Sequence, residues 1–95
     1  TEIAVLIEGH TDNVPYGGNG NIQSNWDLST KRATAIVKIL TENREIPKEN
    51  LTAAGRGEYA PIAANSSAEG KAKNRRIEVI LTPKLDEINK LLNDI

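Results

Sequence analysis

Asp12 and Arg32 carry complementary chemistry, and their setting can bring them to one place. Ile3 to Ile7 is a dense run of β-formers, of the kind buried on both faces of a sheet, and it stops at Glu8-Gly9-His10. Asp12 therefore falls just past a strand tip, where open sheets with helical crossovers place their ligands. Asn25, Leu28, Ser29 and Arg32 recur at i, i+3, i+4 and i+7, so they share one side of a helix over its first two turns. Ile36, Ile39 and Leu40 continue that side as an apolar stripe. A parallel strand–helix unit sets the strand's C-terminal end beside the helix's first turns, so Asp12 and Arg32 should flank one cleft. A carboxylate and a planar guanidinium held apart suit a zwitterion: Asp12 takes an ammonium and Arg32 takes a carboxylate. An α-amino acid group is such a ligand. The plainer readings are an Asx-turn at Asp12 and an Arg32 that extends to solvent.

Other constellations are weaker. His10-Thr11-Asp12 hints at a metal or a catalytic pair, yet the chain has one His and no Cys, too few for an ordinary zinc site. Local hydrogen bonding at the strand end suits His10 better. Ser24 or Ser29 could complete a triad with His10 and Asp12, but neither sits in a nucleophile elbow. Gly17-Gly18-Asn19-Gly20 lacks the Gly-Lys-Ser/Thr of a phosphate loop, and turn chemistry explains it. Lys71, Lys73, Arg75 and Arg76 make a short basic cluster with no aromatic residue among them, a poor nucleic-acid footprint. Asn65-Ser66-Ser67 matches a glycosylation sequon, a frequent chance pattern.

The elements that must position these groups follow from pattern and punctuation. Thr11 to Ser24 is a long polar loop broken by Pro15, Gly17, Gly18 and Gly20. A helix capped by Ser24 or Asn25 runs to about Asn43, and Pro47 to Asn50 makes one short turn. Leu51 to Gly55 is a second strand, parallel to the first. Ala63 to Lys73 is a small-residue loop with room for a helical turn, and Arg76 to Thr82 alternates as a third strand. Pro83 then opens a last helix with Leu85, Ile88, Leu91, Leu92 and Ile95 as its stripe. The architecture is α/β: one sheet with helices against it.

Ninety-five residues at 38% apolar content make one domain with a small core. Twelve Lys and Arg against thirteen Asp and Glu leave a net charge of −1, so no overall field draws in nucleic acid or an anionic membrane. Without Cys there is no disulfide and no thiolate nucleophile. No run approaches the roughly 20 apolar residues of a membrane span. The chain opens at Thr1 without Met, close to its first strand, and reads as a piece of something longer.

Gly9-His10-Thr11-Asp12, Asn25-Trp26-Asp27-Leu28-Ser29-Thr30-Lys31-Arg32-Ala33, Gly55-Arg56-Gly57, Pro61, Asn65 and Asn74-Arg75-Arg76 follow one another in that order. Over about Ile3 to Leu81 this resembles the OmpA-like peptidoglycan-binding domain, found also in the peptidoglycan-associated lipoprotein and in flagellar stator proteins. The resemblance implies a mixed sheet packed against helices in two layers, here without the family's first strand and helix and with an extra C-terminal helix. The expected division is a binding domain over 1–82 and an amphipathic helix over 83–95. The resemblance also implies noncatalytic binding of the wall's stem peptide, chiefly diaminopimelate, with no cofactor. Asp12 then corresponds to the acid for the ligand's ammonium and Arg32 to the arginine for its carboxylate. Asn25 and Leu28 line the pocket, Thr11 stands at its rim, and Arg75 approaches from the last strand. Lys71 stands where Arg is common in the family. The implied setting is the periplasm, with attachment to an outer membrane through preceding regions, or alternatively the wall anchor of a motor stator. A wall-peptide hydrolase is a weaker alternative, since no nucleophile or metal site is placed. Apolar surface left bare by the missing elements, and the stripe of Leu85, Ile88 and Leu92, point to a homodimer.

Overall fold

The computed structural model describes residues 3–18, 20–83 and 92–93. Strand β1 (Ile3–His10) is followed by helix α1 (Asn25–Thr41), a 3-10 turn over Lys48–Asn50, strand β2 (Leu51–Gly55), helix α2 (Ala68–Asn74) and strand β3 (Arg76–Pro83). The sheet order is β2-β1-β3, with β1 parallel to β2 and antiparallel to β3. This is the mixed sheet with helices expected for the resemblance, and β1 has a neighbour on both edges.

α1 begins where Ser24, in extended conformation, accepts a hydrogen bond from the Asp27 N–H, and it buries Asn25, Ser29 and Ala33. Two glycines bring it close to the sheet. Gly9 and Gly55 are register partners on β1 and β2. A Cβ on Gly9 would meet the Ser29 carbonyl, and one on Gly55 would meet the Thr30 and Ser29 hydroxyls. Their bare backbones let the first turns of α1 lie directly on the strand ends, which sets the height of every side chain projecting from those turns. Ile7 and Ala33 are fully buried at this contact.

Four details differ from the sequence reading. β1 runs through Glu8, Gly9 and His10, because Glu8 and Gly9 pair with both β2 and β3, His10 pairs with Arg76 on β3, and Glu8 and His10 find charge partners. Only its Ile7–His10 half is buried, while Ile3 is exposed. Within the expected small-residue loop, Ala68–Asn74 forms a two-turn helix capped by Ser67, whose side chain accepts from the Gly70 N–H. β3 takes in Pro83, paired with Ile3, so the last helix does not start there. Most of that helix lies outside the described residues, with Leu85, Ile88, Leu91 and Ile95 of its stripe; Leu92 is described and is exposed.

α1 packs over β1 and β2. Val79 and Leu81 of β3 lie on the same face of the sheet as Ile7 and Val5, their register partners, yet both stay exposed. No described helix is long and apolar enough to cross a membrane.

Candidate functional site

A cleft of about 320 Å³ opens where β1 ends and α1 begins, lined by Thr11, Asp12, Val14, Pro15, Tyr16, Asn25, Leu28, Arg32 and Arg75. All six residues singled out by the sequence reading lie in it. Val14, Pro15 and Tyr16, from the first part of the long loop, were not anticipated; the loop's glycines concealed that its apolar residues form a wall.

Asp12 is buried and combines two roles. Its Oδ1 accepts the Val14 N–H at 3.0 Å, which is the Asx-turn. Its Oδ2 accepts from Arg75 Nη1 at 2.6 Å. Burial pushes the Asp12 carboxyl up, but the Arg75 hydrogen bond, the Val14 amide and the charges of Arg75 and Lys71 outweigh it and hold the group below the usual carboxylate range. Each carboxylate oxygen has a further lone pair, so an arriving ammonium can share Asp12 with Arg75.

Thr11 lies at the floor of the cleft, not at its rim. It is buried, its N–H donates to the Gly57 carbonyl at 2.9 Å, and its hydroxyl donates to the Asp12 carbonyl at 2.8 Å. Asn25, also buried, donates its amide to the carbonyls of Val14 at 3.0 Å and Asp12 at 3.4 Å, which ties the loop to the first turn of α1. Leu28 is half-buried between them. Arg32 is exposed, and among the described residues it forms no ion pair. The cleft thus holds a buried carboxylate balanced by Arg75 and a guanidinium, that of Arg32, with no acidic partner among the described residues.

Behind the strand tip lies a charged network that local spacing could not reveal. Glu8 and Glu78 face each other across β1 and β3. His10 Nε2 lies 2.8 Å from Glu8 Oε1 and 3.6 Å from Glu78 Oε2. Arg76 pairs with Glu78 at 2.6 Å, and Arg56 reaches Glu8 at 3.6 Å. Glu78 is held below the usual range by its Arg76 hydrogen bond, against some desolvation, with Arg76, His10 and Arg56 adding favourable charge. Ligand atoms of Glu8, His10 and Glu78 lie within 4.8 Å of one another and could approach a cation, but the two arginines already supply the positive charge there.

His10 and Ser29 lie on opposite sides of the sheet, since Gly9 backs onto Ser29 and adjacent strand residues face opposite ways. Ser29 Oγ accepts the Gly57 N–H at 2.9 Å and donates to the Trp26 carbonyl at 3.0 Å. The triad drawn from sequence is therefore not assembled with Ser29. The basic cluster is likewise divided, with Arg75 on Asp12 and Arg76 on Glu78. Between them in function stands Asn74, fully buried: its Oδ1 accepts from the Ile62 and Ala63 N–H groups, and its amide donates to the Ala63 carbonyl and to Asn65 Oδ1. That anchor fixes the turn from which Arg75 leaves for Asp12.

A mixed sheet whose strand tip and helix start flank a carboxylate–guanidinium cleft defines a small ligand-binding module. A model of the OmpA family matches residues 1–75, and the chain belongs to that family. It is 46% identical over 80 residues to motility protein B of Bacillus subtilis, an alignment covering 84% of this chain and 30% of that protein. It is 36% identical over 77 residues to the peptidoglycan-binding protein ArfA of Mycobacterium tuberculosis, covering 81% of this chain and 22% of the relative. The fold superposes on the crystal structure of the periplasmic domain of Helicobacter pylori MotB with a TM-score of 0.79 at 25% identity, covering 98% of this chain and 56% of that one. The chain spans less than a third of the length of these two sequence relatives.

Proposed function

We propose that this domain binds the peptide stem of peptidoglycan without catalysis and so anchors a larger envelope protein to the cell wall. The proposed ligand group is the free end of diaminopimelate, whose ammonium and carboxylate stand on one carbon. Asp12, sharing its charge with Arg75, receives the ammonium, and Arg32 receives the carboxylate in its fork. Asn25 and Thr11 hold the loop and floor in place, and Leu28 packs against the ligand's methylene chain. The observation that carries this reading is the cleft in which the buried Asp12 carboxylate and the Arg32 guanidinium, unpaired among the described residues, occur together. The names of the relatives, a peptidoglycan-binding protein and a motility protein, agree with it.

A motor-stator parent is favoured as the second reading by the similarity to motility protein B in sequence and to MotB in structure. Attachment to an outer membrane, self-association as a homodimer, and the division into a binding domain over 1–82 with a C-terminal helix over 83–95 belong to the proposal as well. The test is a pull-down with purified sacculi competed by free diaminopimelate. Retention on sacculi, released by millimolar diaminopimelate and not by cadaverine, a diamine without a carboxylate, is the expected result; retention indifferent to both would overturn the ligand assignment.

A further inference from the structure

Arg75 stands at a joint. α2 ends at Asn74 and β3 begins at Arg76, so Arg75 belongs to neither element. Its backbone turns there with φ −78° and ψ 87°, and its N–H donates to the Lys71 carbonyl at 3.1 Å. A long side chain leaving such a joint swings widely for a small backbone rotation, and that of Arg75 is 45% exposed. Its 2.6 Å contact with Asp12 therefore needs the joint to be held.

Arg76 holds it. Neighbours on an extended chain face opposite ways, so Arg76 turns behind the sheet to Glu78 while Arg75 turns to the cleft. The Arg76 side chain is only 15% exposed and employs its whole fork. Nη1 donates to the Asn74 carbonyl at 3.3 Å, Nη2 to the Ala60 carbonyl at 2.9 Å, and Nε to Glu78 Oε2 at 2.6 Å. The Asn74 carbonyl belongs to the peptide that leads into Arg75, at a helix end where carbonyls lack partners within the helix. Glu78 balances the charge and fixes the plane of the guanidinium. An ammonium cannot present donors along three directions of one plane in this way.

The loop over 56–63 completes the arrangement. Its Gly57 carbonyl accepts the Thr11 N–H, its Gly57 N–H donates to Ser29 Oγ on α1, and its Ala60 carbonyl accepts from Arg76. Each member of the Asp12–Arg75 pair thus has a chain neighbour tied to this one loop, Thr11 at Gly57 and Arg76 at Ala60. No residue of the loop belongs to the lining of the cleft, so its backbone sets the span of the pair without meeting a ligand. The charges that act on the Asp12 carboxyl are those of Arg75 and Lys71. The Arg76 charge is met by Glu78, so Arg76 influences Asp12 through the placement of Arg75 and not through its own field.

We infer that Arg76 is the positioning residue of the cleft: by clamping the Asn74 and Ala60 carbonyls it holds Arg75 on Asp12, and so presets the carboxylate before a ligand arrives. The inference rests on the stem-peptide reading for its ligand and adds the residue that prepares the site. The experiment follows the Asp12 carboxyl by carbon NMR titration without ligand, and the pH profile of diaminopimelate binding by calorimetry. Arg76→Gln should raise the Asp12 midpoint by at least about half of the rise seen in Arg75→Gln, and the acid limb of binding should move to higher pH with it. Arg76→Lys keeps the charge beside Glu78 and loses the fork, so it should move Asp12 in the same direction; it carries the test where Arg76→Gln does not fold. Arg56→Gln removes the other arginine of the same network and touches neither carbonyl, so Asp12 should titrate in it as in the parent. A merely structural Arg76 would lower the urea midpoint and leave Asp12 unmoved. That result, or an equal Asp12 shift in Arg56→Gln, would overturn the inference. Failure of the wild type to bind diaminopimelate would overturn the stem-peptide reading instead, and the ligand-free Asp12 titration would still decide the role of Arg76.

Discussion

Arg75 donates from Nη1 to Asp12 Oδ2 at 2.6 Å, joining residues 63 positions apart at the mouth of one cleft. Before any ligand arrives, the acid expected to receive an ammonium already has a cationic partner. The carboxylate is thereby kept ionised despite its burial, and the ligand meets a charge whose desolvation was met on folding.

Asp12→Ala and Arg32→Ala should each remove detectable binding to sacculi in proteins verified as folded. Loss of one partner from a partly desolvated charged pair costs about 2–5 kcal/mol, roughly 30-fold or more in affinity. Arg32→Lys should rescue poorly, because an ammonium keeps the charge and loses the fork. Lys71→Ala and Lys73→Ala should alter chiefly the salt dependence, which a pull-down across ionic strength measures. Parent-like binding by folded Asp12→Ala and Arg32→Ala would refute the zwitterion pocket.

Arg75→Gln should raise the Asp12 carboxyl pKa, since burial then acts against the charged form with its main opponent gone. Carboxyl-carbon NMR titration reads this directly. An unmoved Asp12 titration would mean the pair contributes nothing in solution.

Stability should fall in acid with a defined sign. Asp12 and Glu78 both have folded pKa values below their ordinary ones, so the unfolded chain takes up their protons first. Their contribution is complete above about pH 4–5, and it is lost as pH drops through the depressed folded values. Urea midpoints between pH 6 and pH 3 should decline, and Asp12→Asn should decline less steeply than the parent.

Asn74→Ala should destabilise the domain by about 1–3 kcal/mol, since it empties a fully buried position and takes away the partners of the Ile62 and Ala63 N–H groups and the Ala63 carbonyl. Urea denaturation measures the loss. Arg75, one residue on, should also lose its fixed approach, so the Asp12 titration should shift upward in the same variant.

Gly9→Ala should cost about 3 kcal/mol or more, because its methyl meets the Ser29 backbone and no side chain can yield. Thermal unfolding tests this, and a cost near zero would mean that α1 moves off the strand freely.

Much of this protein is legible in its sequence. Ser24 as a helix cap, the i, i+3, i+4, i+7 side with Asn25, Leu28 and Arg32, the turn at Pro47 to Asn50 and the strand from Leu51 to Gly55 are all local patterns. Such patterns survive because 3.6-residue and two-residue periods act over a few neighbouring residues. They suffice to aim Asp12 and Arg32 at one cleft. Tertiary structure alone decided the rest. Glu8 and His10 read as a strand's polar end until register sets them against Glu78 and Arg76. Thr11 reads as a rim residue until Gly57 binds it from a distant loop. Arg75 reads as part of a basic run until α2 and Asn74 turn it onto Asp12. In each case a charge or polar group becomes tolerable in a buried place because a partner far along the chain satisfies it, and only folding brings that partner there.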